Sequence, residues 1–183
     1  MQTRDFVLFA HGAFDGGISG RTALQKKVYF LGVMLEENHG FNPHYYGPYS
    51  AQVAEANSEL KALNYLREDV HVYGWNHRGF EMAIYDYSLT EDGQKLLDRK
   101  KKQYPEKWRK ISNFTTAIEG AGDLSYMELA IAAKAYYILT REGGMATKET
   151  IRSVAKNLGW SIKEMELDRA IDFLDKIHLA HWK

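Results

Sequence analysis

The sequence predicts a mainly α fold with a small β-hairpin, an α+β chain with a winged helix-turn-helix-like N-terminal half and a helical C-terminal half. Three patterns point there. Apolar residues recur at helical spacing up to residue 66. The period drops to two across residues 67–89. Helical spacing then returns and lasts almost to the end of the chain.

Residues 5–14 are apolar and small, a short first helix. Three glycines and an Asp-Gly step make "FDGGISGR" (14–21) a loop. Thr22 and Gln25 have capping-box spacing. They open a helix over 23–37, with Leu24, Val28, Leu31 and Leu35 on one stripe. Asn38 and Gly40 end it. Pro48 disfavours helix at Gly47, and Ser50 is a good N-cap. The third helix, over 50–66, buries Val53, Ala56, Leu60, Leu63 and Leu66 and turns Gln52, Glu55, Glu59 and Ala62 outward.

Val70 and Val72 alternate with His71 and Tyr73, and residues 80–89 alternate again. "GWNHRG" (74–79) supplies the glycines of a hairpin tip. Thr90 caps a helix through "EDGQKLLDRKKKQY", which Pro105 interrupts before a further helix over 106–118. "EGAGD" (119–123) reads as a linker. Ser125 and Glu128 form a capping box before a nearly all-round apolar helix that ends at 141. It is the centre of a C-terminal bundle or a dimer seam. A helix over 147–158 carries Ile151, Val154, Ala155 and Leu158. Ser161 and Glu164 open the final helix, with Leu167, Ile171, Leu174 and Ile177 inward, and "HLAHWK" is an extended end.

Three units follow: a winged-helix-like domain (1–95), a basic connecting helix and linker (96–122), and a helical, helix-turn-helix-like domain (123–183). "GGISGRTALQKKVYFLG" (16–32) and "GGMATKETIRSVAKNLG" (143–159) align without gaps. Either the second half is a degenerate repeat of the first, or similar glycines punctuate unrelated helices.

Twenty-four basic residues balance 24 acidic ones, which disfavours whole-molecule attraction to phosphate. With no cysteine, disulfides, thiolate catalysis and cysteine metal sites are excluded. Arg4 and Asp5 interrupt any signal-like start, and the apolar run 127–139 is too short to span a bilayer. The expectation is a cytoplasmic protein without a membrane partner. No G-x-S-x-G occurs, and "HGAFDGG" (11–17) does not lie between a strand and a helix, as a phosphate loop must. His178 and His181 stand three apart with no carboxylate to complete a metal site. The chain is therefore expected to be no enzyme, with no catalytic residue, cofactor or metal.

"GRTALQKKVYFLG" (20–32), "YYGPYSAQV" (45–53) and "YSLTEDG" (87–93) resemble the YwgA-like family of poorly characterised prokaryotic proteins. That family is distantly similar to Panacea-type domains found among antitoxins and proteolytic adaptors. The resemblance covers the first half and implies a winged-helix-like fold, with no catalytic motif to transfer.

Two functions fit such a fold. One is a DNA-binding transcription regulator, with the third helix in a major groove and the hairpin on the backbone or in the minor groove. Candidate DNA contacts are Arg21, Lys26 and Lys27 on the second helix, and Tyr46, Tyr49, Ser50 and Gln52 where the third begins. His77 and Arg78 sit at the hairpin tip. Lys100, Lys101, Lys102, Lys107 and Arg109 lie in "KLLDRKKKQYPEKWRK" (95–110). Eight basic residues there meet only two acidic ones, with Tyr104 and Trp108 between, so the stretch either follows a phosphate backbone or is a solvated helix face. Glu55 and Glu59 on the third helix argue against DNA. The alternative is a protein-interaction module, antitoxin-like or adaptor-like, whose partner is another protein or a second copy. Tyrosine suits it, and "FNPHYYGPYS" (41–50) is rich in it, as a contact or as packing for a turn.

Overall fold

α1 (Thr3–Ala13) places Phe6, Val7, Leu8, Phe9 and Ala10 in the interior. The computed structural model describes residues 1–15, 17–75, 81–122 and 124–180, with Glu81 by its backbone alone. After α1 come β1 (Ile18–Ser19), α2 (Arg21–Met34), α3 (Ala51–Ala62), β2 (Leu66–Trp75), β3 (Glu81–Leu89), α4 (Glu91–Gln103), α5 (Pro105–Gly120), α6 (Tyr126–Arg141), α7 (Lys148–Asn157) and α8 (Glu164–Lys176). The fold is mainly helical with one small antiparallel sheet, as expected.

The sheet runs β1-β3-β2. β2 and β3 form the predicted hairpin, with Val70 opposite Tyr85 and Val72 opposite Ala83. β1 was expected to be loop. It pairs Ile18 with Tyr87 and Ser19 with Asp86. Two residues are too few to show an alternating pattern.

Other boundaries depart from expectation for local reasons. α2 starts at Arg21 after Gly20 at φ 91°, and no side chain caps it. The expected Thr22–Gln25 box is absent because Gln25 turns inward to the backbone of Ser50. α3 stops at Ala62, because Asn64 adopts φ 59° and Leu66 already belongs to β2. Leu63 is consequently 52% exposed, outside the stripe expected to bury it. Gln52, Glu55, Glu59 and Ala62 do face outward.

Thr90 caps α4 through the Gly93 amide, and the Ser125–Glu128 box opens α6. Pro105 interrupts the helix as expected and itself begins α5, where its missing N–H costs nothing. α5 runs to Gly120, into the expected linker, and residue 95 lies within α4. α8 begins at Glu164, and the Lys163 amide donates to Glu166 Oε2 (2.8 Å) in place of a Ser161 box. The end expected to be extended instead turns at His178 (φ 58°), and the Leu179 amide donates to the Leu174 carbonyl (2.9 Å). Residues 181–183 lie outside the described residues.

α6 occupies the centre. Its Ala130, Ala132, Ala133 and Ala135 are buried, and their small side chains let α2, α7 and α8 pack around it. One buried cluster draws on both halves of the chain. Phe30 of α2 meets Phe173 of α8 edge-on at 5.3 Å. In each half the third helix packs on the first, α3 on α1 and α8 on α6. Among the described residues no helix is long and apolar enough to cross a membrane.

Candidate interaction surface

The stretch between α2 and α3 is a hairpin-like loop. Asn42 and Tyr49 exchange both backbone hydrogen bonds (2.9 and 2.8 Å), and His44 and Gly47 do so nearer the tip (3.2 and 2.9 Å). Gly47 at φ 89° makes the turn, and a Cβ there would lie 2.9 Å from Lys134 Cγ.

Both halves of the molecule hold this loop. Gln25 Nε2 donates to the Ser50 carbonyl (3.0 Å), and the Ser50 amide donates to Gln25 Oε1 (2.9 Å). Lys26 Nζ donates to the Pro48 carbonyl (2.6 Å). Trp160 Nε1, just after α7, donates to the His44 carbonyl (2.7 Å). Ser50 Oγ donates to the His39 carbonyl and accepts from the Val53 amide (3.1 Å), so one hydroxyl closes the loop and caps α3.

Lys26 is 2% exposed. Burial, and then the charge of Lys134, push its pKa from 10.5 down to about 7. Burial also lowers Lys134, against the pull of Glu166.

At the tip, Tyr45 is 72% and Tyr46 44% exposed, with their rings edge-on at 4.8 Å. His44 and Tyr49 stack at 5.0 Å. The distal hairpin is also apolar and open. Val70 and Val72 share a face with Leu66 and Tyr87, which reach the core, yet are half exposed.

Between loop and hairpin lies a cleft of about 300 Å³ lined by Arg21, Leu24, Gln25, Tyr49, Ala54, Asn57, Ser58, Lys61 and Tyr87. Arg21, at the start of α2, lies 3.7 Å over the Tyr85 ring. Lys61 pairs with Glu68 at 2.9 Å. Burial alone would raise the Glu68 pKa, but Lys61, Tyr87 and Arg21 together hold it low. Burial, then Glu68, push the Tyr87 phenol up to about 12. Behind the cleft, His11 is buried, with Nε2 2.8 Å from Asn57 Oδ1. Burial outweighs that bond and lowers the His11 pKa to about 4.

The candidate DNA contacts do not form one surface. Lys26 and Ser50 are interior, spent on the loop, and cannot reach a phosphate. Lys27 lies over the Phe14 ring at 4.3 Å. Gln52 is exposed and accepts from Thr3 Oγ1 (3.5 Å). His77 and Arg78 lie outside the described residues.

Much of the basic stretch is tied within the chain. Lys100 pairs with buried Asp5 at 2.7 Å, and Lys107 with Glu37. Burial would raise the Glu37 pKa, and Lys107 holds it low. Lys101 pairs with Asp98 (3.7 Å) and covers Trp108 (4.1 Å), while Arg109 pairs with Glu106 (2.9 Å). Lys102 is exposed, with no ion pair among the described residues. Among those residues no group of His, Asp and Glu is placed to hold a metal ion.

Sequence reasoning missed the loop clamp. Gln25 looked like half of a capping box, and Lys134 and Trp160 lie more than 80 residues from the loop they hold.

No family model matches the chain. It is similar to the uncharacterised protein YwgA of Bacillus subtilis, 35% identical over 95 residues, which is 50% of this chain and 52% of that protein. The chain thus spans about half the length of this curated relative. The similarity supports a YwgA-like relationship.

Proposed function

We propose that the chain is a non-enzymatic, winged-helix-type protein-docking module, with its loop 41–50 and hairpin turned to the partner. The order α1, β1, α2, α3, β2, β3 supports the winged-helix reading, a scaffold that carries either DNA or protein contacts. The observation that carries the protein reading is the loop tip. Tyr45 and Tyr46 are exposed on a backbone held by α2 and by Trp160 after α7, so their large rings are presented at little ordering cost.

Charge supports the same choice over DNA. Glu55 and Glu59 occupy the face of α3 that would meet a groove. Several cations of the 95–110 stretch are neutralised by carboxylates of the same chain.

A photo-crosslinking amino acid at position 45 tests the reading in cells. A discrete protein adduct, absent when the crosslinker sits at exposed Gln52, is expected. Salt-sensitive binding of a labelled random-sequence duplex, lost on Lys102→Glu, refutes it in favour of DNA.

A further inference from the structure

We infer that the cleft between α2, α3 and the sheet receives a carboxylate side chain from an acidic peptide segment of the partner. This rests on the docking reading and names what that surface selects.

Its walls offer more donors to the cleft than free acceptors, and the acceptors left unpaired near it among the described residues, Glu68 Oε2 and His11 Nδ1, are buried. Gln25 uses both ends of its amide on the Ser50 backbone. Glu68 pairs through Oε1 with Lys61, while its Oε2 is buried and has no hydrogen-bond partner among the described residues. Asn57, 5% exposed, gives Oδ1 to His11. An amide oxygen can only accept, so His11 Nε2 carries the proton of that bond. The Asn57 Nδ2 donors are left for the cleft. The Tyr49 hydroxyl joins them, with no hydrogen bond among the described residues. Arg21 contributes a guanidinium with more donors than its contacts to Tyr85 and Tyr87 consume. Two cations, Arg21 and Lys61, meet one carboxylate, Glu68, so the wall retains a positive charge.

Donors from three elements around a cavity of about 300 Å³, with a surplus cation, suit a carboxylate. The flanks point to a peptide. Tyr49 leads from the cleft to the exposed loop tip. Tyr87 leads along β3 to Tyr85, Val70 and Val72 on the open face of the hairpin. An extended segment with an acidic residue between apolar ones would fill all three regions.

The experiment is selection of a displayed random-peptide library on the full chain, then fluorescence anisotropy with the enriched peptides. Enrichment of Asp or Glu flanked by apolar residues is expected. Arg21→Gln should weaken the best peptide about tenfold or more, and amidation of the peptide's own carboxylate should do the same. The two changes together should cost little more than either alone. The peptide change leaves the protein untouched, so misfolding cannot mimic the result. Enriched peptides without an acidic residue, or with equal affinity for Arg21→Gln, overturn the cleft assignment and leave the docking module standing. No enrichment, with acetate or succinate raising the melting temperature only when Arg21 is present, overturns it in favour of a small-anion site. Absence of both enrichment and the position-45 crosslink brings down the docking reading as well.

Discussion

Replacing Lys26 by Met should change how stability responds to pH, with a sign that the geometry fixes. Lys26 is 2% exposed and its pKa falls from 10.5 to about 7 on folding. The folded state therefore disfavours the charged amine. Below about pH 7 both folded and unfolded chains carry the proton, and the full penalty, roughly 5 kcal/mol, is present. Between about 7 and 10.5 the folded amine is neutral while the unfolded one is still charged. The unfolded state then binds more protons, and stability rises with pH by about 1.4 kcal/mol per pH unit. Methionine does not titrate. It also loses the bond to the Pro48 carbonyl, a loss of roughly 1–3 kcal/mol for a buried acceptor left alone. Scanning calorimetry of both proteins from pH 6 to pH 9.5 isolates the effect. The melting temperature of the native chain relative to Lys26→Met should be flat below about pH 7. Above that it should climb by roughly 2–4 °C for each kcal/mol gained. A difference flat across the whole range, or one that falls as pH rises, refutes the buried neutral amine.

Lys100→Met should cost about 3–5 kcal/mol in urea denaturation because it strands buried Asp5, whereas Lys102→Met should stay within about 0.5 kcal/mol. Gly93→Ala should be among the most damaging single changes, about 3 kcal/mol or more. Its Cβ would lie 2.0 Å from the Tyr65 carbonyl oxygen, a backbone atom that cannot swing away. Trp160→Phe removes the donor to the His44 carbonyl and should lower stability by about 1–2 kcal/mol, with faster amide exchange at residue 47.

Where a signal is local, the sequence was informative. Ser50, Thr90 and Ser125 cap the helices they were expected to cap, because a cap depends on a few adjacent residues. The hairpin was legible because two-residue alternation is visible at residues 70–73 and again over 80–89. β1 was not, since two residues take their strand character from Tyr87 and Asp86 opposite. The basic stretch misled for a similar reason. Lys100 and Lys107 look solvated until the fold brings Asp5 and Glu37 to them. The cleft combines residues 21, 49, 57, 61 and 87, and no spacing rule joins them before the chain folds.

The fastening of loop 41–50 has a further consequence. α2 holds it through Gln25 and Lys26, α6 crowds Gly47 through Lys134, and Trp160 grips the tip. The aromatic tip is therefore an indicator needle geared to both halves of the molecule. A shift of α2 or of Trp160 would move the backbone that carries Tyr45 and Tyr46, and a partner holding those rings would in turn pull on both, which would give the two halves of the chain a shared thermodynamic coordinate.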